Sequence, residues 1–130
     1  MTEKEKDLLL KDLCARLPYG VKFMCNKNIY TTKGLELIVT DEGDWKYAVT
    51  AKGTAPIEID FIKPYLFPLS SMTKEQKMFL KQQNWCIAIS TSGTVETTIE
   101  GIDWLNKNYF DYRGLIEKEL AIDATNLNIY

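Results

Sequence analysis

The chain has 130 residues, 45% hydrophobic and 26% charged, which fits one globular domain with a core of its own and argues against disorder. A formal net charge of −2 and a pI near 5.2 give no electrostatic steering toward nucleic acid. Histidine is absent, which excludes Ser-His-Asp and Cys-His machinery, an imidazole general base and His-ligated zinc.

Thr2 and Glu5 have capping-box spacing, in which each side chain satisfies a backbone donor of the first turn. Leu9, Leu10, Leu13, Cys14 and Leu17 then recur at three- and four-residue steps, predicting an amphipathic helix over 3–16 that Pro18 and Gly20 stop. From Tyr19 to Ile62 the period changes to two. Val21, Phe23 and Cys25 form one alternating set, Leu35, Leu37 and Val39 a second, Trp45, Tyr47, Val49 and Ala51 a third, and Ile57, Ile59 and Phe61 a fourth. Turn residues separate them at Asn26-Lys27-Asn28, Asp41-Glu42-Gly43-Asp44 and Lys52-Gly53-Thr54-Ala55-Pro56, so a four-stranded antiparallel meander is expected. Pro64 and Pro68 cannot donate to a ladder, and the sheet is expected to pause there in an aromatic-rich crossover.

Thr73 with Gln76 repeats the capping box and predicts a helix over about 74–83. A fifth strand is expected from Trp85 to Thr91, turned by Ser92-Gly93-Thr94. Ile99, Ile102, Leu105 and Tyr109 predict a third helix, weakened at Gly101 by about 1 kcal/mol relative to alanine. A short helix over 112–119 and an extended tail to Tyr130 complete the reading. The expected fold is α+β: a mainly antiparallel sheet of about five strands, an N-terminal amphipathic helix and two or three further helices in a single domain over 1–130.

Cys14, Cys25 and Cys86 form no CxxC pair and lie in apolar runs, so all three are expected as buried structural thiols, with no metal and no cofactor. The charged start and the short apolar stretch after it fit neither a signal peptide nor a membrane span, which makes the cytoplasm the expected location. Asp41-Glu42-Gly43-Asp44 lacks the ligand alternation of a calcium loop and reads as a solvated turn. Glu58 and Asp60 share a strand face, as acid and base carboxylates do, but so do the residues of any wet face. Lys74, Lys77 and Lys81 read as the exposed side of their helix. Phe61, Tyr65 and Phe67 read as core anchors, with a base-stacking platform as the alternative.

The two arginines, among 16 basic residues, stand beside tyrosine and glycine: Arg16 before Tyr19 and Gly20, Arg113 between Tyr112 and Gly114. A guanidinium fork suits bidentate contact with an anion, so Arg16, Tyr19, Tyr112 and Arg113 are the candidate ligand-binding residues. A structural salt bridge, for instance from Arg113 to Asp111 or Asp103, is the preferred reading of the same residues.

The runs Leu13–Val21 (LCARLPYGV), Ile62–Met72 (IKPYLFPLSSM) and Asp103–Ile116 (DWLNKNYFDYRGLI), with Ala121-Ile122-Asp123 and Asn128-Ile129-Tyr130, span nearly the whole chain. Together they resemble a group of short uncharacterised proteins of gut Bacteroides-type bacteria and their phages and prophages. The resemblance implies a phage or mobile-element setting and carries no activity with it. Position 119 departs from the pattern, with Glu in place of Gly. The expected function is that of a small non-enzymatic accessory protein binding a protein partner or itself. A nucleotide-type anionic ligand is the alternative, and an enzyme without histidine stands last.

Overall fold

The computed structural model describes residues 1–85, 87–89 and 95–130. Cys86, the end of the expected fifth strand at 90–91 and the expected turn at 92–94 lie outside them. The elements are α1 (Glu3–Arg16), β1 (Lys22–Cys25), β2 (Asn28–Val39), β3 (Trp45–Ala51), β4 (Ile57–Glu58), β5 (Lys63–Pro68), α2 (Lys74–Gln82), β6 (Ala88–Ile89), β7 (Val95–Glu96), α3 (Ile99–Lys107), β8 (Phe110–Asp111) and β9 (Ile122–Asp123). The class is α+β, but the main sheet has seven strands and is mixed, in the order β4-β3-β2-β1-β5-β8 with β9 also on β5. It is larger than the expected sheet because β8 and β9 add to β5 in parallel, at Phe67–Pro68 and at Tyr65–Leu66.

Local chemistry explains most boundaries. The Thr2 hydroxyl accepts the Glu5 N–H at 3.1 Å while the Glu5 carboxylate accepts the Thr2 N–H at 2.9 Å, and Thr73 with Gln76 does the same for α2. Pro18 opens a 3₁₀ turn after α1 and Gly20, at φ +63, closes it. Asn26 and Lys27 both have positive φ (49° and 66°), the backbone of a two-residue hairpin loop joining β1 to β2.

The structure corrects several expectations. Residues 28–34 belong to β2, which pairs with β1 through Asn28–Thr31, bulges between Thr32 and Gly34, and then pairs with β3 as far as Val39. The fourth meander strand is only Ile57–Glu58, because the chain turns into a 3₁₀ segment at Ile59–Phe61. The expected crossover is strand β5, pairing with β1, β8 and β9. Its prolines fall at the second and last positions, and residues between them make ladder bonds: the Phe67 N–H donates to Tyr109 O, and Leu66 O accepts the Ala124 N–H, both at 2.8 Å. Of the described residues of the expected fifth strand, Ala88–Ile89 form a separate ribbon with β7, and Trp85 and Ile87 lie outside any strand. Residues 112–119 form turns, since the Asp111 carboxylate takes the Leu115 and Ile116 N–H groups at 3.0 and 2.9 Å. Glu119 occupies the left-handed position (φ 60°) that ends this turn.

The core joins Leu9 and Leu13 of α1 to Val21, Phe23 and Cys25, to Val49 and Ala51, and to Ile62, Leu66 and Leu115. Each fully buried aliphatic side chain of this size contributes roughly 1.5–3 kcal/mol. Cys25 is buried as expected, but Cys14 is exposed, because the buried stripe of α1 runs Leu9, Asp12, Leu13, Arg16 and leaves Cys14 on the wet side. Tyr65 is a buried anchor, whereas Phe61 is 66% exposed. Among the described residues no helix is long and apolar enough to cross a membrane.

Candidate functional site

Three of the four sequence-derived site residues meet, around a carboxylate the sequence reading passed over. Asp12 and Arg16 are fully buried one helical turn apart, and the guanidinium forks the carboxylate through Nε at 2.8 Å and Nη2 at 3.0 Å. Its Nη2 also donates to Phe110 O at 2.6 Å and its Nη1 to Leu105 O at 3.4 Å, tying α1 to α3 and β8. Arg113 approaches the same carboxylate, its Nε 3.3 Å from Asp12 Oδ1, and donates through Nη2 to the Tyr112 hydroxyl at 3.2 Å. That hydroxyl donates in turn to Asn106 Oδ1 at 2.9 Å, and the Tyr112 ring lies 5.4 Å from the Arg16 guanidinium carbon and 4.9 Å from that of Arg113.

Arg113 therefore pairs with Asp12, not with Asp111 or Asp103; Asp111 is occupied by the backbone of the following turn. Tyr19 stays outside the cluster, and its carbonyl accepts the Tyr109 hydroxyl at 2.6 Å. The signal for Asp12 was its i,i+4 spacing to Arg16 on a helix face that is otherwise apolar. Every nitrogen of Arg16 already has a protein partner, so an anion reaching it would have to displace the Asp12 carboxylate or a carbonyl. Arg113, with 27% of its side chain exposed, is the arginine that meets solvent.

Other candidate groups resolve into local contacts. Lys46 bridges Glu58 and Asp60 at 3.8 Å each, and Lys6 of α1 reaches Asp60 at 3.3 Å, which raises the lysine's pKa. Among the described residues no three Cys, Asp or Glu side chains are placed to hold a metal ion. A cleft of about 420 Å³ lies beside Phe67, Gln76, Asn108, Tyr109 and Tyr130. Tyr109 and Tyr130 of its lining stack with ring centres 3.8 Å apart. The Tyr130 hydroxyl accepts the Lys22 N–H and donates to Tyr65 O, both at 2.8 Å, and burial pushes its pKa up.

The unusual surface is the far end of the β2–β3 hairpin. Val49 and Ala51 of β3 enter the core and Leu35 packs against it. The same face continues outward through the cross-strand pairs Leu37–Tyr47 and Val39–Trp45. There the cover ends: Leu37 is 52% exposed, Val39 54%, Trp45 70% and Tyr47 44%. Alternation marks these side chains as an inward face, but beyond Leu35 and Val49 they stand largely exposed: Trp45 and Tyr47 border a cleft of about 270 Å³ with Lys6, Asp7 and Leu10 of α1, which does not close over them. The arm is also unpaired along β2, because β1 ends its pairing at Thr31 and no strand among the described residues follows it beyond that point. No protein-family model matches this chain, and no curated protein or solved structure matches it at a significant level.

Proposed function

We propose that this chain is a small non-enzymatic accessory protein that acts by docking a protein onto the β2–β3 arm. The observation carrying the reading is the apolar quartet Leu37, Val39, Trp45 and Tyr47, contiguous, more than two-fifths exposed at each position, and set on a hairpin with an open edge. Scattered exposed apolar residues need no explanation, whereas a face of this kind matches what protein interfaces use, with aromatic anchors at its centre. The buried arginine cluster supports the same ranking, since Arg16 is consumed by Asp12 and by two carbonyls that hold the fold together.

The test is site-specific photo-crosslinking in the cell that naturally makes the protein. A benzophenone side chain at position 37 or 45 is expected to give a discrete protein adduct, and the same group at the exposed Met78 of α2 to give none. Adducts of equal yield from all three positions, or none from the arm, would overturn the reading.

A further inference from the structure

We infer that the partner of the arm is a second copy of this chain, added edge to edge along β2 in antiparallel register with Leu37 on the two-fold axis. The inference rests on the arm being the docking surface, and it follows from which backbone groups are free and where the charges fall.

The Thr40 N–H donates inward across the hairpin to Asp44 O at 2.8 Å, while the Thr32 N–H donates the other way, to Val21 O at 2.9 Å. Successive residues of an antiparallel strand direct their groups to opposite sides. Counting back from Thr40, Ile38 and Glu36 bond toward β3, which leaves the N–H and C=O groups of Leu35, Leu37 and Val39 on the open edge. An antiparallel copy centred on Leu37 faces Leu37 with Leu37 and Leu35 with Val39, so all of these groups find partners.

Charge selects that register. The charged side chains along this edge and at its two ends are Lys33 at the bulge, Glu36 within the strand and Asp41 at the start of the turn, all exposed. With Leu37 on the axis, Lys33 of each copy faces Asp41 of the other, and Glu36 faces Ile38. Moving the axis to Glu36 sets two glutamates face to face, and moving it to Ile38 places Lys33 opposite Gly43. An isologous interface needs a patch that complements itself, and of these three registers the one centred on Leu37 does so. The opposite edge of the arm is guarded: Lys46 of β3 is held by Glu58 and Asp60, the kind of charge that blocks strand addition. Pairing along β2 would turn a two-stranded arm into a four-stranded sheet in which Leu35, Leu37 and Val39 of one copy pack side by side with Val39, Leu37 and Leu35 of the other.

The purified chain is followed by sedimentation velocity from about 1 to 300 µM, a range that brackets weak protein–protein affinity. The wild-type chain is expected to shift from 15.0 kDa to twice that mass. Leu37→Pro removes an outward N–H that the hairpin does not use, so the variant should melt like the wild type and stay monomeric. Lys33→Asp and Asp41→Lys each break both symmetry-related pairs and should weaken the dimer by about five- to tenfold at low salt. The double variant should return to within about twofold of wild type, and a mixture of the two single variants should form heterodimers. Should Leu37→Pro fail to fold, the charge exchange, made at exposed positions, still decides the register.

A chain monomeric to the top of the range, a dimer indifferent to Leu37→Pro in a folded variant, or a double variant no better than either single would each overturn the proposal. Arm-specific crosslinks to a protein of another mass, with a monomeric purified chain, would remove the second copy and leave the docking surface. Absence of arm crosslinks together with a monomeric chain would remove both.

Discussion

The two most polarised regions of the molecule treat their unsatisfied groups in opposite ways. Around Asp12, two guanidiniums, a phenol, an amide and two backbone carbonyls converge on a site where Asp12 and Arg16 have no exposed surface. Along the β2–β3 arm, apolar side chains stand exposed and strand-edge groups have no strand beside them among the described residues. If the arm is the docking surface, as proposed, charge is not a reliable pointer to where this protein works. The arginines that look like a ligand clamp join α1, α3 and β8, while the surface open to a partner is built from leucine, valine, tryptophan and tyrosine.

The comparison breaks most visibly at Asp12. Replacing it with alanine leaves Arg16 buried without a counter-charge, and losing one member of a buried pair costs about 3–5 kcal/mol. That is a large share of the stability of a domain this size, which runs to about 5–15 kcal/mol. Urea melts of Asp12→Ala should show the loss; a change under about 1 kcal/mol would mean that Arg16 reaches water or another anion.

A second, smaller effect belongs to Tyr130, which ties the tail to β1 and β5 through one hydroxyl. Tyr130→Phe should cost about 1 kcal/mol, the net worth of such bonds. It should also change the alkaline limb of stability. Burial raises the Tyr130 pKa in the folded state, so this contribution is complete below the unfolded tyrosine value near 10. It is lost as pH rises beyond that, because the unfolded chain ionises first. Melting temperatures at pH 9 to 11 should fall less steeply for the phenylalanine variant.

What was legible in the sequence was local chemistry. Two capping boxes placed the starts of α1 and α2, and period-two alternation found the inward face of β1 and the core-facing ends of β2 and β3, but not that Leu37, Val39, Trp45 and Tyr47 would stand exposed. The start of β2 was hidden because Thr31, Thr32 and Lys33 show no alternation, and because Lys27 takes a left-handed turn position usually given to glycine. Strands β8 and β9 are two residues each, and they exist through parallel pairing to a distant strand that no local pattern encodes. Arg16, Tyr112 and Arg113 were picked for their chemistry, but their common partner was missed because a charged residue inside an apolar helix stripe reads as surface.

The departure noted at position 119 supplies a third test. Glu119 ends its turn at φ 60°, with its N–H bonded to Ile116 O at 3.1 Å and the Leu120 N–H to Leu115 O at 2.9 Å. This double bond pattern ordinarily has glycine at the left-handed residue. A side chain there costs roughly 1–2 kcal/mol, while glycine's greater freedom in the unfolded chain costs about 0.5–1 kcal/mol. Glu119→Gly should therefore stabilise the protein by about 0.5–1 kcal/mol, read as a higher denaturation midpoint. A loss would show that the Glu119 side chain makes contacts that outweigh its backbone strain.

The smallest expected effect is the sharpest for the arm. Core residues lose stability when made polar because they leave an apolar environment for which the polar group has no partner. Leu37 and Trp45 have little such environment to leave: half of one and most of the other already face water. The double variant Leu37→Ser, Trp45→Ser should change stability by no more than about 0.5 kcal/mol, the range of ordinary surface substitutions. The melts belong at concentrations where the wild type is monomeric, since association adds apparent stability by mass action. In the photo-crosslinking experiment, the same two changes, with benzophenone at position 47, should remove the adduct. A variant that keeps its fold and loses its partner separates the arm from the Asp12 cluster, whose buried pair joins α1 to α3 and β8. If the double variant instead unfolds the protein, the quartet is core that the hairpin carries outward, and the working surface lies elsewhere.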